Sequence, residues 1–333
     1  MKDIARALGL SQSTVSRVLS GAPSAVPIAD ATRERVVAEA RRRGYRPNPL
    51  ASGLRGARTR LLGVIMGEII GPWGVAAIDA VTNEASARGY NTVLGNAHGH
   101  TDEALAIRDV LETRHCDAII VIGNTQDQVR LLEELRDTTL PLVAWGQGLH
   151  VPGVCVVDVD NEAGVTLMLE HLAELGHRRI AFVGGTSESG GFATRKAAFR
   201  RFVKHLGEDL RDDFVQNVPD SADSGALAVE WLCRQPERPT AIFCATDLLA
   251  IGALHAAYRL GLRVPDDISI VGFDDVPLAA YLVPALTTVH MPMGDMARLV
   301  VQQALSPEPA TDGRAFVIRP TLVVRQSSGP VPR

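Results

Sequence analysis

The chain has 333 residues, 46 % of them hydrophobic and 22 % charged, a length that suggests two or three domains with sizeable cores. No apolar run is long enough to span a bilayer, and Met1-Lys2-Asp3-Ile4-Ala5-Arg6 has no secretion-signal core. Membrane insertion and export are therefore excluded as expectations, and a cytoplasmic setting is expected. The net charge of −4 hides a division: the first 60 residues carry 12 Lys and Arg against 4 Asp and Glu, and the rest carry 22 against 34. A basic head on an acidic body is the layout of a nucleic-acid binder whose body does not adhere to DNA. Four scattered cysteines without a CxxC pair read as reduced thiols.

The first predicted elements are two short helices. Ile4, Ala5 and Leu8 form one apolar stripe, Gly9 suits the positive φ of a tight turn, and Ser11 suits the N-cap of the helix that follows. On that second helix Val15, Val18 and Leu19 fall on one face, with Gln12, Ser13, Ser16 and Arg17 opposite. A helix so divided fits the major groove. Arg17 can pair bidentately with guanine and Gln12 with adenine, while Ser11 and Ser16 suit phosphates. An ordinary amphipathic surface helix has the same apolar spacing; the preceding helix and the Gly turn favour DNA binding.

Residues 20–27, rich in Gly, Pro and Ser, read as a loop, and a third helix is predicted from about Asp30, as its cap, to Arg43, stopping at Gly44. Val36, Val37 and Ala40 face the first two helices. The stretch from Tyr45 to Gly56 reads by itself as a linker, although Asn48 can cap a short helix and Pro49 suits its first turn.

From Leu61 the pattern changes to strands that are apolar on both faces, separated by helices. Strands are predicted at Leu61–Ile65, Asn91–Gly95, Ala118–Ile122 and Leu140–Trp145, with a helix from Trp73 to Arg88. The pattern restarts with helices at Glu162–Leu175, Thr194–Leu206 and Leu248–Leu260, and strands at Arg179–Gly184, Ala241–Ala245 and Ile268–Val271; Ala315–Arg325 is terminal strand material. Two successive βα arrays imply two doubly wound subdomains with a ligand crevice between their strand ends. No GxSxG, GxxxxGK[ST] or GxGxxG motif occurs, so no enzymatic activity or cofactor is expected. His98-Gly99-His100 lacks a third ligand nearby and reads as a solvated loop rather than a metal site.

Lys2-Asp3-Ile4-Ala5, Gly9, the run Ser11-Gln12-Ser13-Thr14-Val15-Ser16-Arg17-Val18-Leu19 and Tyr45-Arg46-Pro47-Asn48 resemble the opening of the lactose-repressor (LacI/GalR) family of bacterial transcription regulators. Asp160-Asn161, Leu175-Gly176-His177-Arg178-Arg179-Ile180-Ala181, Thr246-Asp247, the run from Pro265 to Asp275 and Leu286-Thr287-Thr288 extend the likeness over nearly the whole chain. The resemblance implies an all-α helix-turn-helix head on an α/β periplasmic-binding-protein-like core. It implies a head at 1–46, a hinge helix and linker at 47–58 and a core at 59–333. Within the core, one half takes about 60–158 plus 290–315 and the other about 160–288 plus 316–328.

The resemblance also implies the working parts. Ser11, Gln12, Ser13, Thr14, Ser16, Arg17 and Tyr45 would meet DNA. Asn48, Ala51 and Leu54 would form a minor-groove hinge helix whose leucine wedges into a base step, with Arg55 on phosphate. Arg195, Asp247 and Asp274 match effector-contacting positions. Trp73 either stacks on a sugar face or serves as an interface or core tryptophan. Asp220 stands where several sugar-responsive members carry an aromatic, and Glu68 lies in a loop without the usual polar cluster. The expected protein is a homodimer that binds a pseudo-palindromic operator and answers to a carbohydrate-like effector; with no heptads after the last strand, tetramers are not expected. The alternatives are a solute-binding protein of a transport system, or an enzyme on the same architecture.

Overall fold

The computed structural model describes residues 1–20, 28–45, 58–69, 71–123, 128–136, 138–146, 151–187, 190–207, 211–306 and 313–332. The head is three helices, α1 (Lys2–Leu8), α2 (Gln12–Ser20) and α3 (Asp30–Arg42). Ile4, Ala5, Val15, Val18, Val36 and Ala40 bury into one small core. Gly9, at φ 65°, lets the Leu10 amide bond back to the Ala5 carbonyl at 2.9 Å, which closes α1 and turns the chain into α2. Ser11 caps α2, its Oγ accepting the Thr14 amide at 3.1 Å. The cap expected of Asp30 is not made. Ala29 holds the N-cap position without a side-chain bond, and Asp30 is the first helical residue, where its carboxylate complements the helix dipole instead.

The core begins with β1 (Leu61–Met66), α4 (Gly71–Ala87), β2 (Asn91–Asn96), α5 (Thr101–Thr113), β3 (Ala118–Ile122), α6 (Gln128–Arg136), β4 (Leu142–Trp145) and β5 (Cys155–Val159). It continues with α7 (Asn161–Glu174), β6 (Ile180–Gly184), α8 (Gly190–His205), β7 (Val215–Asn217), α9 (Ala222–Cys233), β8 (Ala241–Cys244), α10 (Asp247–Arg259) and β9 (Ser269–Val271). It ends with β10 (Thr288–His290), α11 (Met293–Ala304), β11 (Ala315–Ile318) and β12 (Thr321–Val323). The first sheet is parallel with order β11-β5-β4-β3-β1-β2, and the second is parallel with order β7-β6-β8-β9. In both, the order reverses beside the first strand, which places a switch point at β1/β3 and another at β6/β8. Every residue of β3, β6, β8 and β9 is buried, as strands covered on both faces require. No helix of the described residues is long and apolar enough to cross a membrane.

Among the described residues the chain passes between the halves at 159–161, 289–293 and 318–321. The crossings are tied together: the Asp160 amide donates to the Ile318 carbonyl at 2.9 Å, and β10 pairs antiparallel with β12. β11 completes the first sheet beside β5, so residues 316–318 lie with the first half, whereas the expected boundary gave them to the second. The single terminal strand expected over 315–325 is split at Pro320, which has no amide to continue a ladder. The strand expected from Leu140 starts at Leu142, after Pro141, for the same reason.

In the second half α9 and α10 cross backbone to backbone. A Cβ at Gly225 would lie 2.2 Å from the Leu249 carbonyl oxygen, and a Cβ at Gly252 would lie 1.8 Å from that of Ala222. Only glycine permits this approach.

Candidate functional site

The outer face of α2 carries the residues expected to read DNA. Ser11, Gln12 and Ser13 are exposed, and Thr14, Ser16 and Arg17 are half-buried. The Ser11 hydroxyl lies 2.8 Å from those of both Ser13 and Thr14, and Arg17 Nε donates to the Ser13 carbonyl at 3.3 Å, which lays the guanidinium along the helix. Tyr45 is half-buried against the head core. Asn48, Ala51, Leu54 and Arg55 lie outside the described residues.

Where the chain enters the core, one carboxylate holds it. Asp117, just before β3, accepts the Thr59 amide at 2.8 Å, the Thr59 hydroxyl at 2.9 Å and the Arg60 amide at 3.0 Å.

The crevice is built around Arg195 on α8. Its side chain is 9 % exposed. Nε donates to Asn161 Oδ1 at 2.8 Å, Nη1 donates to the Ala245 carbonyl, and the guanidinium carbon lies 3.7 Å from the centre of the Phe273 ring. Asp274 Oδ1 stands 3.7 Å from Nη1. Burial works against the charged guanidinium, and Asp274, Asp220, Asp158 and Asp247 offset it. Asp274, at φ 121°, is a non-glycine residue held in a strained conformation by the hydrogen bond its own amide donates to the Val289 carbonyl at 2.9 Å. Burial raises the Asp274 carboxyl well above its ordinary range, against the pull of Arg195. Burial also raises Asp220, whose Oδ1 accepts the Thr246 hydroxyl at 2.6 Å.

Asp247 departs from the expectation. It is wholly buried, its Oδ1 accepting the Thr288 hydroxyl and its Oδ2 the Val276 amide at 2.9 Å. It ties the start of α10 to the second crossing and does not line the opening. Burial pushes it up to about 7, opposed by those two bonds. Trp73 on α4 lies across from this group, on the first sheet. It meets Trp145 edge to face at 6.3 Å, and its ring would sit 3.9 and 3.7 Å from a Cβ at Gly123 and Gly146, at the ends of β3 and β4. The structure therefore brings Arg195, Asp220 and Asp274 together and sets Trp73 on the opposing wall. The walls approach at Gly71, where a Cβ would lie 3.0 Å from Leu248 of α10.

Three residues that sequence reasoning did not place complete the site: Asn161 and Phe273, which hold Arg195, and Met291, whose sulfur lies 4.0 Å from Nη2. Asn161 and Phe273 adjoin Asp160 and Asp274, so their positions inside the same motifs were a usable signal. Exposed His98 pairs with Glu103 at 2.8 Å, and no group of His, Cys, Asp and Glu among the described residues could hold a metal.

Residues 1–48 match the bacterial regulatory proteins of the lacI family, and residues 169–328 match the periplasmic binding protein-like domain. The HTH-type transcriptional repressor PurR of Erwinia tasmaniensis is 32 % identical over 332 residues, covering 98 % of this chain and 96 % of that protein. This chain belongs to the lacI family of bacterial regulators. The catabolite control protein A of Priestia megaterium is 33 % identical over 302 residues, 90 % of each chain. The lac repressor dimer bound to operator and the anti-inducer ONPF superposes with a TM-score of 0.87 at 26 % identity, covering 98 % of both chains. A transcriptional regulator CelR–cellobiose complex superposes at 0.71 with 29 % identity, covering 97 % of this chain and 98 % of that one.

Proposed function

We propose that this chain is a homodimeric repressor whose grip on a pseudo-palindromic operator is set by a small molecule held between the two α/β halves. The observation that carries this reading is the pairing of an α2 face of Ser11, Gln12, Ser13, Ser16 and Arg17 with a two-sheet core whose crevice buries Arg195 against Asp274. A solute carrier has no use for the first, and a DNA-binding head alone has no use for the second. Ser11, Gln12, Ser13, Thr14, Ser16, Arg17 and Tyr45 meet the major groove and its phosphates, and Asn48, Ala51, Leu54 and Arg55 meet the minor groove. Trp73, Arg195, Asp220 and Asp274 meet the effector. The division into a head at 1–46, a linker at 47–58 and a core beyond is part of the same reading, as is action in the cytoplasm, at the nucleoid, without catalysis.

The dimer is supported by apolar surface on the second half. Tyr281 is 81 % exposed and Val283 96 %, with Tyr258, Leu227 and Trp231 exposed on the paired helices α9 and α10. Self-association by a two-fold axis covers such a surface and sets two heads at the spacing of two half-sites.

The test is titration of labelled genomic fragments with the full chain at several salt concentrations. Specific binding with a steep salt slope is expected, and Arg17→Ala should cost about 1–3 kcal/mol on the preferred site. Binding that is absent or indifferent to sequence would sink the reading.

A further inference from the structure

The head ends in a knot of three charged side chains. α3 runs into Arg41-Arg42-Arg43, and Glu39 lies one turn before the last two of them. Positions i, i+3 and i+4 share a helix face, so Arg42 and Arg43 both fall over the Glu39 carboxylate. Arg42 grips it twice, Nε donating to Oε2 at 2.7 Å and Nη2 to Oε1 at 2.7 Å, and Arg43 Nε donates to Oε1 at 2.5 Å. The Glu39 side chain is sheltered beneath the two, 12 % exposed against 68 % for Arg42. The bonds from Arg42 and then Arg43 hold the Glu39 carboxyl down at about 2, so it stays ionised at neutral pH. A lone surface ion pair contributes little, but a two-pronged pair within a network of charges is the geometry that persists.

The knot sits where the head passes into the linker. Gly44, at φ 62°, turns the chain out of α3, and the Tyr45 amide closes the helix on the Ala40 carbonyl at 2.9 Å. Asn48 follows Arg43 by five residues, a span of at most roughly 18 Å. With Asn48 to Arg55 in the minor groove, two free guanidiniums at this place would reach the phosphate backbone. Each would add affinity that carries no sequence information. As the fold stands, the Nε–Nη2 fork of Arg42, which matches phosphate as it matches carboxylate, is already filled.

We propose that Glu39 is a positioning residue that withholds Arg42 and Arg43 from the DNA backbone, lowering affinity for unrelated DNA and widening the margin by which the operator is preferred. This deepens the operator-binding reading and rests on it. A regulator must find its site among a great excess of competing sequence, so the ratio of specific to non-specific affinity matters more than either alone. On unrelated DNA the head settles wherever phosphates meet its cations. On the operator its register is fixed by base contacts from α2, and side chains released from Glu39 would find fewer phosphates there. Holding two arginines back therefore weakens the competitor more than the operator.

The experiment titrates the full chain onto a random-sequence duplex and onto its preferred genomic fragment across a range of salt concentrations. Glu39→Gln is expected to steepen the salt slope on the random duplex by about 1–2, close to 0.9 for each phosphate engaged. Affinity there should rise several-fold at moderate salt, and the preference for the genomic fragment should narrow. Glu34→Gln removes the same charge from the exposed side of the same helix and should change the slope less than half as much. Arg42→Gln/Arg43→Gln by itself should leave the slope almost unchanged, and combined with Glu39→Gln it should cancel the effect; this double variant decides the matter if Glu39→Gln does not fold. A slope that Glu39→Gln lowers or leaves alone, an effect equalled by Glu34→Gln, or a slope reduced by about 2 in Arg42→Gln/Arg43→Gln would each overturn the proposal. An unaltered chain without any salt slope would sink the repressor reading itself, and this inference with it.

Discussion

The Arg195 guanidinium lies flat on Phe273, 3.7 Å from its ring centre. Phe273 is itself wholly buried, and a Cβ on Gly164 of α7 would come within 2.8 Å of its ring. The stack therefore joins α8 and α7 to the end of β9 through one side chain. A desolvated cation–π contact of this kind is worth about 2 kcal/mol, and truncating a buried aromatic adds a packing cost. Phe273→Leu is expected to lower stability by about 2–4 kcal/mol and to blunt the response to effector while leaving operator binding at low temperature intact. Urea denaturation and operator titration with and without effector check both parts. An unchanged effector response would show that Phe273 does not position Arg195.

Arg195→Ala tests the other partner. It leaves Asp274 and Asp220 without their nearest cation, and breaking a buried pair from one side costs about 3–5 kcal/mol. The expected phenotype is operator binding that no effector relieves. Release of DNA by effector in this variant would remove Arg195 from the site.

Asp247 makes stability depend on pH. Its carboxyl is raised from 3.8 to about 7 in the fold, so between those values the folded protein holds a proton that the unfolded chain has lost. The stabilisation is complete below the unfolded value and is lost as pH rises through about 7, on the order of a few kcal/mol in all. Asp247→Asn should flatten that slope, since an amide still accepts from Thr288 and does not titrate. Melting curves from about pH 5 to 8 compare the two proteins; parallel profiles would mean that Asp247 is ionised throughout.

Most of the fold was legible because its signals are local. Gly9, Ser11 and the Val15–Val18–Leu19 stripe mark the head within a few residues, and runs such as Ala118–Ile122 can only be covered strands. Cys155–Val159 was missed because it follows Gly153 and carries Asp158, which breaks the apolar run. Residues 316–318 were given to the wrong half because a crossing leaves no periodic trace; only pairing with β5 shows where the chain turns. The same limit applied to the site. Arg195 and Asp274 are singled out by their motifs and stand 3.7 Å apart in the fold, whereas the inward placement of Asp247 depends on Thr288, 41 residues away.

Gly252→Ala places a methyl group where the Ala222 carbonyl oxygen stands, 1.8 Å from the new Cβ. Backbone cannot yield as a flexible side chain can, so α9 and α10 must part. Overpacking of this kind costs about 1–3 kcal/mol or more. Because exposed Leu227, Trp231 and Tyr258 ride on those helices, the dimer should weaken as well. Sedimentation and urea denaturation should shift together; a variant of native stability would mean that the helices have room to separate.

The last prediction concerns how the core reaches the head. Asp117 receives two backbone amides and one hydroxyl from Thr59 and Arg60, so the root of the linker is clamped to the start of β3. Hydrogen bonds to a charged acceptor contribute about 1.5–3 kcal/mol each. A rigid root transmits movement of the first sheet to the DNA-binding head, whereas a loose one absorbs it. Asp117→Ala is expected to leave effector affinity unchanged, since the residue sits at the start of β3, the opposite end of that strand from Gly123 beside Trp73. The effector's influence on operator affinity, ordinarily about 1–3 kcal/mol in such couplings, should fall by half or more. Operator titrations at zero and saturating effector give that difference directly. A full coupling energy in a folded Asp117→Ala protein would place the transmitting contact elsewhere; Thr59→Ala, which loses the hydroxyl but keeps both backbone amides on Asp117, should lose less.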